Sequence, residues 1–75
     1  MIENKKIVLT GASSGIGLEV LKILAKGKGN IILAVSRHAK ERLFDFGSNV
    51  IPVNIDCSSR EGIDKLFSVA EAAFG

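Results

Sequence analysis

Seventy-five residues allow one small domain, and a chain of this size buries only roughly 60% of the surface its unfolded form exposes. Hydrophobic residues make up 47% of it and charged residues 24%, which excludes a disordered chain and fits one built around a core. A net charge of +2 with no basic, aromatic-interleaved stripe argues against nucleic acid, and a single cysteine, Cys57, rules out an internal disulfide framework.

Lys6 to Thr10 is a continuous apolar run ended by Gly11. It predicts a strand buried on both faces. Lys5-Lys6 followed by Ile7-Val8-Leu9 resembles a signal start, but the apolar run stops at Thr10-Gly11, too short for a signal core or a membrane span. A cytoplasmic chain without membrane association is expected, in a reducing compartment that suits the lone cysteine. From Gly15 to Lys26 the spacing turns helical, with Ile16, Val20, Ile23 and Leu24 inward and Glu19, Lys22 and Lys26 outward. Lys26-Gly27-Lys28-Gly29-Asn30 ends that helix.

Ile31 to Val35 predicts a second buried strand, and Ala39 to Phe46 a short helix anchored by Leu43 and Phe44. Val50 to Ile55 predicts a third strand, placed at a sheet edge because Pro52 cannot donate to a ladder. Ser58-Ser59-Arg60-Glu61 reads as a capping box with Ser58 at the N-cap. The helix it opens carries Ile63, Leu66, Phe67, Ala70 and Phe74 on one face. The order β-α-β-α-β-α with short connections predicts an α/β fold: a parallel sheet covered by helices through right-handed crossovers.

Thr10-Gly11-Ala12-Ser13-Ser14-Gly15-Ile16-Gly17 lies between the first strand and the first helix. Gly11 permits a tight turn, Gly15 lets a pyrophosphate approach the backbone, and Gly17 lets the helix pack close to the sheet. The helix start aims N–H groups and a positive dipole end at the same spot, and Ser13 and Ser14 add hydroxyl donors. The plainer alternative is a glycine-rich turn that holds nothing.

With threonine ahead of it, this G-x-x-x-G-x-G spacing resembles the glycine motif of the classical short-chain dehydrogenases/reductases. The resemblance runs through the whole chain. It implies the first half of a Rossmann fold, a three-stranded parallel sheet in the order 3-2-1 with helices on both faces. In that family an acidic residue closing the second strand takes the ribose hydroxyls of NAD, whereas this chain has Ser36 followed by Arg37. A neutral residue beside a guanidinium accepts a 2′-phosphate, so NADP is expected over NAD. Ser14 stands where NADP-preferring members often carry a second basic residue, and Arg37 read alone is a solvated residue at a helix start. Asp56-Cys57 matches the family's Asp-Val pair. This implies that Asp56 accepts from the adenine amino group and the Cys57 N–H reaches a ring nitrogen. The plain alternative is a strand end leading into a cap.

The expected cofactor-binding set is therefore Gly11, Ser13, Ser14, Gly15, Ile16, Gly17, Ser36, Arg37, Asp56 and Cys57, with no metal site. His38 and the lysines Lys22, Lys26 and Lys28 read as surface residues. The family's catalytic stretch is Asn-Asn-Ala-Gly, a Ser and Tyr-x-x-x-Lys, and the chain contains no tyrosine. Residues 1–75 are thus expected to be a partial dinucleotide-binding domain closing at Phe74-Gly75, inactive alone. The parent is expected to be an oxidoreductase acting on a small carbonyl or alcohol. The alternatives are a non-catalytic nucleotide-binding module and an assembly module, and a homo-oligomer is expected through the first strand, whose edge the partial sheet leaves bare.

Overall fold

The computed structural model describes residues 2–75. The elements are β1 (Lys6–Thr10), α1 (Gly15–Lys26), β2 (Ile31–Ser36), α2 (Ala39–Arg42), β3 (Val50–Asn54) and α3 (Arg60–Phe74). Ile32 to Val35 carries no polar side chain toward either face, and it takes the only position in a three-stranded sheet that buries both. Those four residues of β2 are fully buried, flanked by β1 and β3 in a parallel sheet ordered β1-β2-β3, the expected 3-2-1 read from the other edge. The register runs from Lys6 opposite Ile31 to Thr10 opposite Val35, and from Ile32 opposite Val50 to Ser36 opposite Asn54. Pro52 sits opposite Ala34 in the edge strand β3, where its missing N–H costs no interior ladder bond.

Helices cover both faces. Ile7, Leu9, Ile32, Ala34 and Val50 lie under α1 and α2 with Leu21, Ala39 and Leu43. Leu33, Val35, Val53 and Ile55 lie under α3 with Leu66, Val69, Ala70 and Phe74.

The expectation that β1 is buried on both faces fails. Its residues alternate between exposed and half-buried, because β1 is an edge strand and Val8 points to the α3 side beyond that helix's cover. The inward face of α1 also differs from the expected one. Leu21 is buried with Leu18, Leu24 and Ala25 beside it, while Ile16 and Ile23 face solvent. Gly17 decides this. A Cβ there would come within 2.7 Å of the Gly11 carbonyl carbon, so the face carrying Gly17 turns to the sheet. Leu21 and Leu24 follow it at helical spacing.

Helix α2 stops at Arg42, four residues short of the predicted Phe46. Leu43 is buried as the anchor, but Phe44 is 79% exposed and Phe46 packs in its place at the cluster margin. In α3 the N-cap is Ser59, whose hydroxyl oxygen accepts from the Gly62 N–H at 3.0 Å, and not Ser58. Gly62 is the reason. A Cβ there would come within 2.8 Å of the Asp56 carbonyl carbon, which fixes the helix start and its rotation. Leu66, Val69 and Ala70 consequently face the sheet, and Ile63 and Phe67 do not.

The far end of the sheet is tied by Asn30, a buried residue that sequence reading left as a helix breaker. Its oxygen accepts from the Lys5 N–H at 3.0 Å, and its amide donates to the carbonyls of Ile2 at 3.0 Å and Leu24 at 2.9 Å. Both donors and the acceptor are satisfied, as burial requires. The lead-in to β1 is thereby fixed to the α1–β2 turn.

Candidate functional site

The carboxyl ends of the three parallel strands lie side by side, and the residues expected at the cofactor sit at those ends: Ser36 closes β2, Gly15, Ile16 and Gly17 open α1, and the others lie on the turns that leave the strands. With strands about 4.8 Å apart, the ends of β1 and β3 are about 10 Å from one another. At the β1 end, the Ala12 N–H donates to the Val35 carbonyl at 3.4 Å and stitches the glycine turn to β2. Gly11 and Gly15 have φ of +67° and +58°, and a Cβ on either would meet nothing within 4 Å. The turn is therefore open above its glycines, and only Gly17 faces the sheet side.

Ser14 precedes α1 in extended conformation and makes no side-chain cap, and the Leu18 N–H to Ser14 carbonyl bond at 3.3 Å closes the first turn. No acidic side chain lies in that turn. The start of α1 thus presents uncapped backbone N–H groups and a positive dipole end beneath an open backbone, an arrangement suited to an anion. Ile16 is 85% exposed beside it, an apolar residue that covers nothing within the chain.

At the β2 end, the Ser36 hydroxyl oxygen is shielded from solvent and has no hydrogen-bond partner among the described residues. A hydroxyl so placed is under-satisfied. Arg37 follows, exposed and without an ion pair within 4 Å among the described residues. His38 stands next, its Nδ1 3.1 Å from a Glu41 carboxylate oxygen. Across the register, the Asn54 amide donates to Glu41 at 2.8 Å and its oxygen accepts from the Lys40 N–H at 2.8 Å. These contacts hold Glu41 below the ordinary carboxylate range, the Asn54 amide contributing most and His38 less.

At the β3 end, Asp56 is exposed and Cys57 half-buried against the α3-side cluster. The Ser58 hydroxyl donates to Asp56 at 2.6 Å and the Ser58 N–H at 2.9 Å. Those two bonds hold the Asp56 carboxyl below its usual value, with slight burial opposing and the Arg37 charge assisting. A depressed carboxyl stabilises the fold above its unfolded pKa of 3.8, and that contribution disappears as pH falls through the lower folded value. Ser58→Ala is expected to reduce thermal stability at neutral pH, with the difference from wild type closing in acid. Parallel melting curves at all pH values would exclude this link.

The structure brings Gly11, Ser13, Ser14, Gly15, Ile16, Ser36, Arg37 and Asp56 to one edge of the sheet. Gly17 serves packing beneath them, and Cys57 lies behind Asp56. Sequence reading missed Asn54, whose place opposite Ser36 follows only from the register, and Ala12, which is fully buried under the turn.

A family model described as short chain dehydrogenase matches residues 5–75. The chain belongs to the short-chain dehydrogenase family. Over 67 residues it is 40% identical to a coniferyl-alcohol dehydrogenase of Pseudomonas sp., a match covering 89% of this chain and 24% of that protein. It is 31% identical over 80 residues to an uncharacterized oxidoreductase of Bacillus subtilis, covering 99% of this chain and 22% of that one. A crystal structure of a short-chain dehydrogenase/reductase from Burkholderia vietnamiensis superposes with a TM-score of 0.69 at 20% identity, over 84% of this chain and 30% of that one. This likeness concerns the fold alone. The chain spans about a quarter of the length of the short-chain dehydrogenases it matches. Membership of this family implies a nicotinamide dinucleotide cofactor, NAD or NADP. Among the described residues no helix is long and apolar enough to cross a membrane.

Proposed function

We propose that this chain forms the adenosine and diphosphate half of an NADP(H) site in an oxidoreductase that moves hydride between nicotinamide and a carbonyl or alcohol. The observation that carries the reading is the open glycine turn. Gly11 and Gly15 leave free space above the uncapped start of α1, room that a turn used only for packing would fill. In this reading the backbone from Ser13 to Gly17 holds the diphosphate, Ser36 and Arg37 the 2′-phosphorylated ribose, and Asp56 with the Cys57 N–H the adenine. The cofactor, when bound, supplies or accepts the hydride. The chain's own residues bind and orient it.

The unpartnered Ser36 hydroxyl and the unpaired Arg37 support the phosphorylated cofactor over NAD. A carboxylate at Ser36 would repel a 2′-phosphate, whereas a hydroxyl and a guanidinium both donate to it. Calorimetric titration with NADPH and NADH is expected to give tighter binding of NADPH. Equal or reversed affinities would refute the assignment of Ser36 and Arg37, and no binding of either would refute the site. Catalysis by the natural gene product is part of the proposal and requires Tyr-x-x-x-Lys elsewhere in it. For the 75-residue chain by itself, two copies are expected to pair along the open edge of β1, and a monomer by light scattering at high concentration would remove that idea.

A further inference from the structure

Asn54 closes β3 directly opposite Ser36, and its side chain is committed at both ends. Its oxygen receives the Lys40 N–H, so it holds the first turn of α2. Its amide reaches the Glu41 carboxylate, which also faces His38. Between these anchors runs Ser36-Arg37-His38, joining β2 to α2. The Ile55 N–H donates to the Ser36 carbonyl at 3.0 Å and ties the same segment from below. Among the described residues, every side-chain hydrogen bond on the far side of this connection passes through Asn54 or its partner Glu41, and the Arg42 N–H to His38 carbonyl bond at 3.2 Å adds a backbone tie within the turn. Helix α2 is only four residues long and cannot hold its own position by internal bonding.

We propose that Asn54 is a positioning residue for cofactor discrimination: it sets the Ser36–His38 connection so that Arg37 meets the adenosine 2′ group. It also keeps the Glu41 carboxylate engaged, away from a 2′-phosphate that it would repel. The proposal rests on the NADP(H) reading above and adds to it a residue that does not itself touch the cofactor. The charged groups around the connection are Arg37, His38, Lys40, Glu41 and Arg42 from the β2–α2 side and Asp56 from the turn after β3. Asn54 is the neutral side chain that bridges the two sides.

The test uses the natural gene product with two probes, adenosine 2′,5′-bisphosphate and 5′-AMP, which differ only in the 2′-phosphate. Wild type is expected to favour the bisphosphate. Asn54→Ala is expected to lower that preference about tenfold, equal to about 1.4 kcal/mol, while 5′-AMP affinity changes little. Asn54→Thr keeps a residue that suits a strand and loses both bonds, and the same loss is expected if the alanine variant proves unstable. Asn49→Ala removes a different side-chain bond, to the Ala25 carbonyl at 3.1 Å, and serves as a control for general loosening. Its preference should stay at the wild-type value. Glu41→Gln retains an acceptor for Asn54 without the charge and should keep or strengthen the preference. If wild type shows a preference that both Asn54 variants retain, the positioning role is overturned and the NADP(H) reading stands. A loss of preference in Asn49→Ala equal to that in the Asn54 variants also overturns the positioning role. If wild type binds both probes equally, the reading itself falls and the positioning role falls with it.

Discussion

Gly17→Ala is expected to lower the melting temperature by roughly 15 °C, the shift that about 3 kcal/mol produces in a domain of this size. A methyl group at that position would fall within van der Waals contact of the Gly11 carbonyl group, backbone against backbone, with no flexible side chain to give way. Relief requires α1 to move off the sheet, which loosens Leu21 and the side chains packed around it. About 5 kcal/mol of total stability is common for a domain this small, so a loss of about 3 kcal/mol removes more than half of it. Gly15→Ala provides the contrast. Its Cβ would meet open space, so the cost is only the strain of a left-handed residue, about 1 kcal/mol. That variant is expected to fold but to bind dinucleotide more weakly, since its methyl projects where the diphosphate is proposed to lie. Thermal melts and a cofactor titration on both variants separate packing from binding. A Gly17→Ala protein that melts with wild type would show that the helix does not depend on this close approach.

Arg37→Ala is expected to weaken NADPH binding by about 10- to 100-fold and to leave NADH within about twofold. Hydrogen bonds to charged groups contribute about 1.5–3 kcal/mol, and the 2′-phosphate is the only feature that separates the cofactors. Arg37 is exposed and unpaired among the described residues, so its removal breaks no ion pair in the chain. Arg37→Lys should retain part of the effect, because an ammonium keeps the charge and loses the two-pronged geometry. The preference for NADPH should also shrink with added salt, as an exposed charge pair does. An equal loss for both cofactors on replacing Arg37 would mean that the side chain acts elsewhere on the adenosine, or on the fold.

The order of elements and the edge position of Pro52 were legible because each follows from local composition, whereas the central place of β2 followed from the strand order that the family resemblance implies. The rotation of the helices was harder to read. Helix α1 carries enough apolar residues for two stripes, one through Ile16, Val20 and Ile23 and another through Leu18, Leu21 and Leu24. Periodicity alone does not choose between them. The structure chooses through Gly17, and through Gly62 in α3, both third in their helices and both pressed on a backbone carbonyl group of the preceding turn. A glycine at that position therefore marks the sheet-facing side, and applying the rule to α3 would have placed the cap at Ser59 and turned Phe67 outward. The glycine turn was legible because its chemistry is contiguous. Asn54 was not, since its partners Lys40, Glu41 and Ser36 reach it only through the parallel register.

Asn30 has a practical corollary. It clamps the opening residues to the end of the sheet opposite the glycine turn, and the five residues of β1 separate the two by about 16 Å. A fluorophore or surface tether attached at Ile2 would stand on the pole remote from the proposed nucleotide site. Immobilisation from that end leaves the glycine turn facing bulk solution, and a dye placed there reports on tumbling without covering the proposed site.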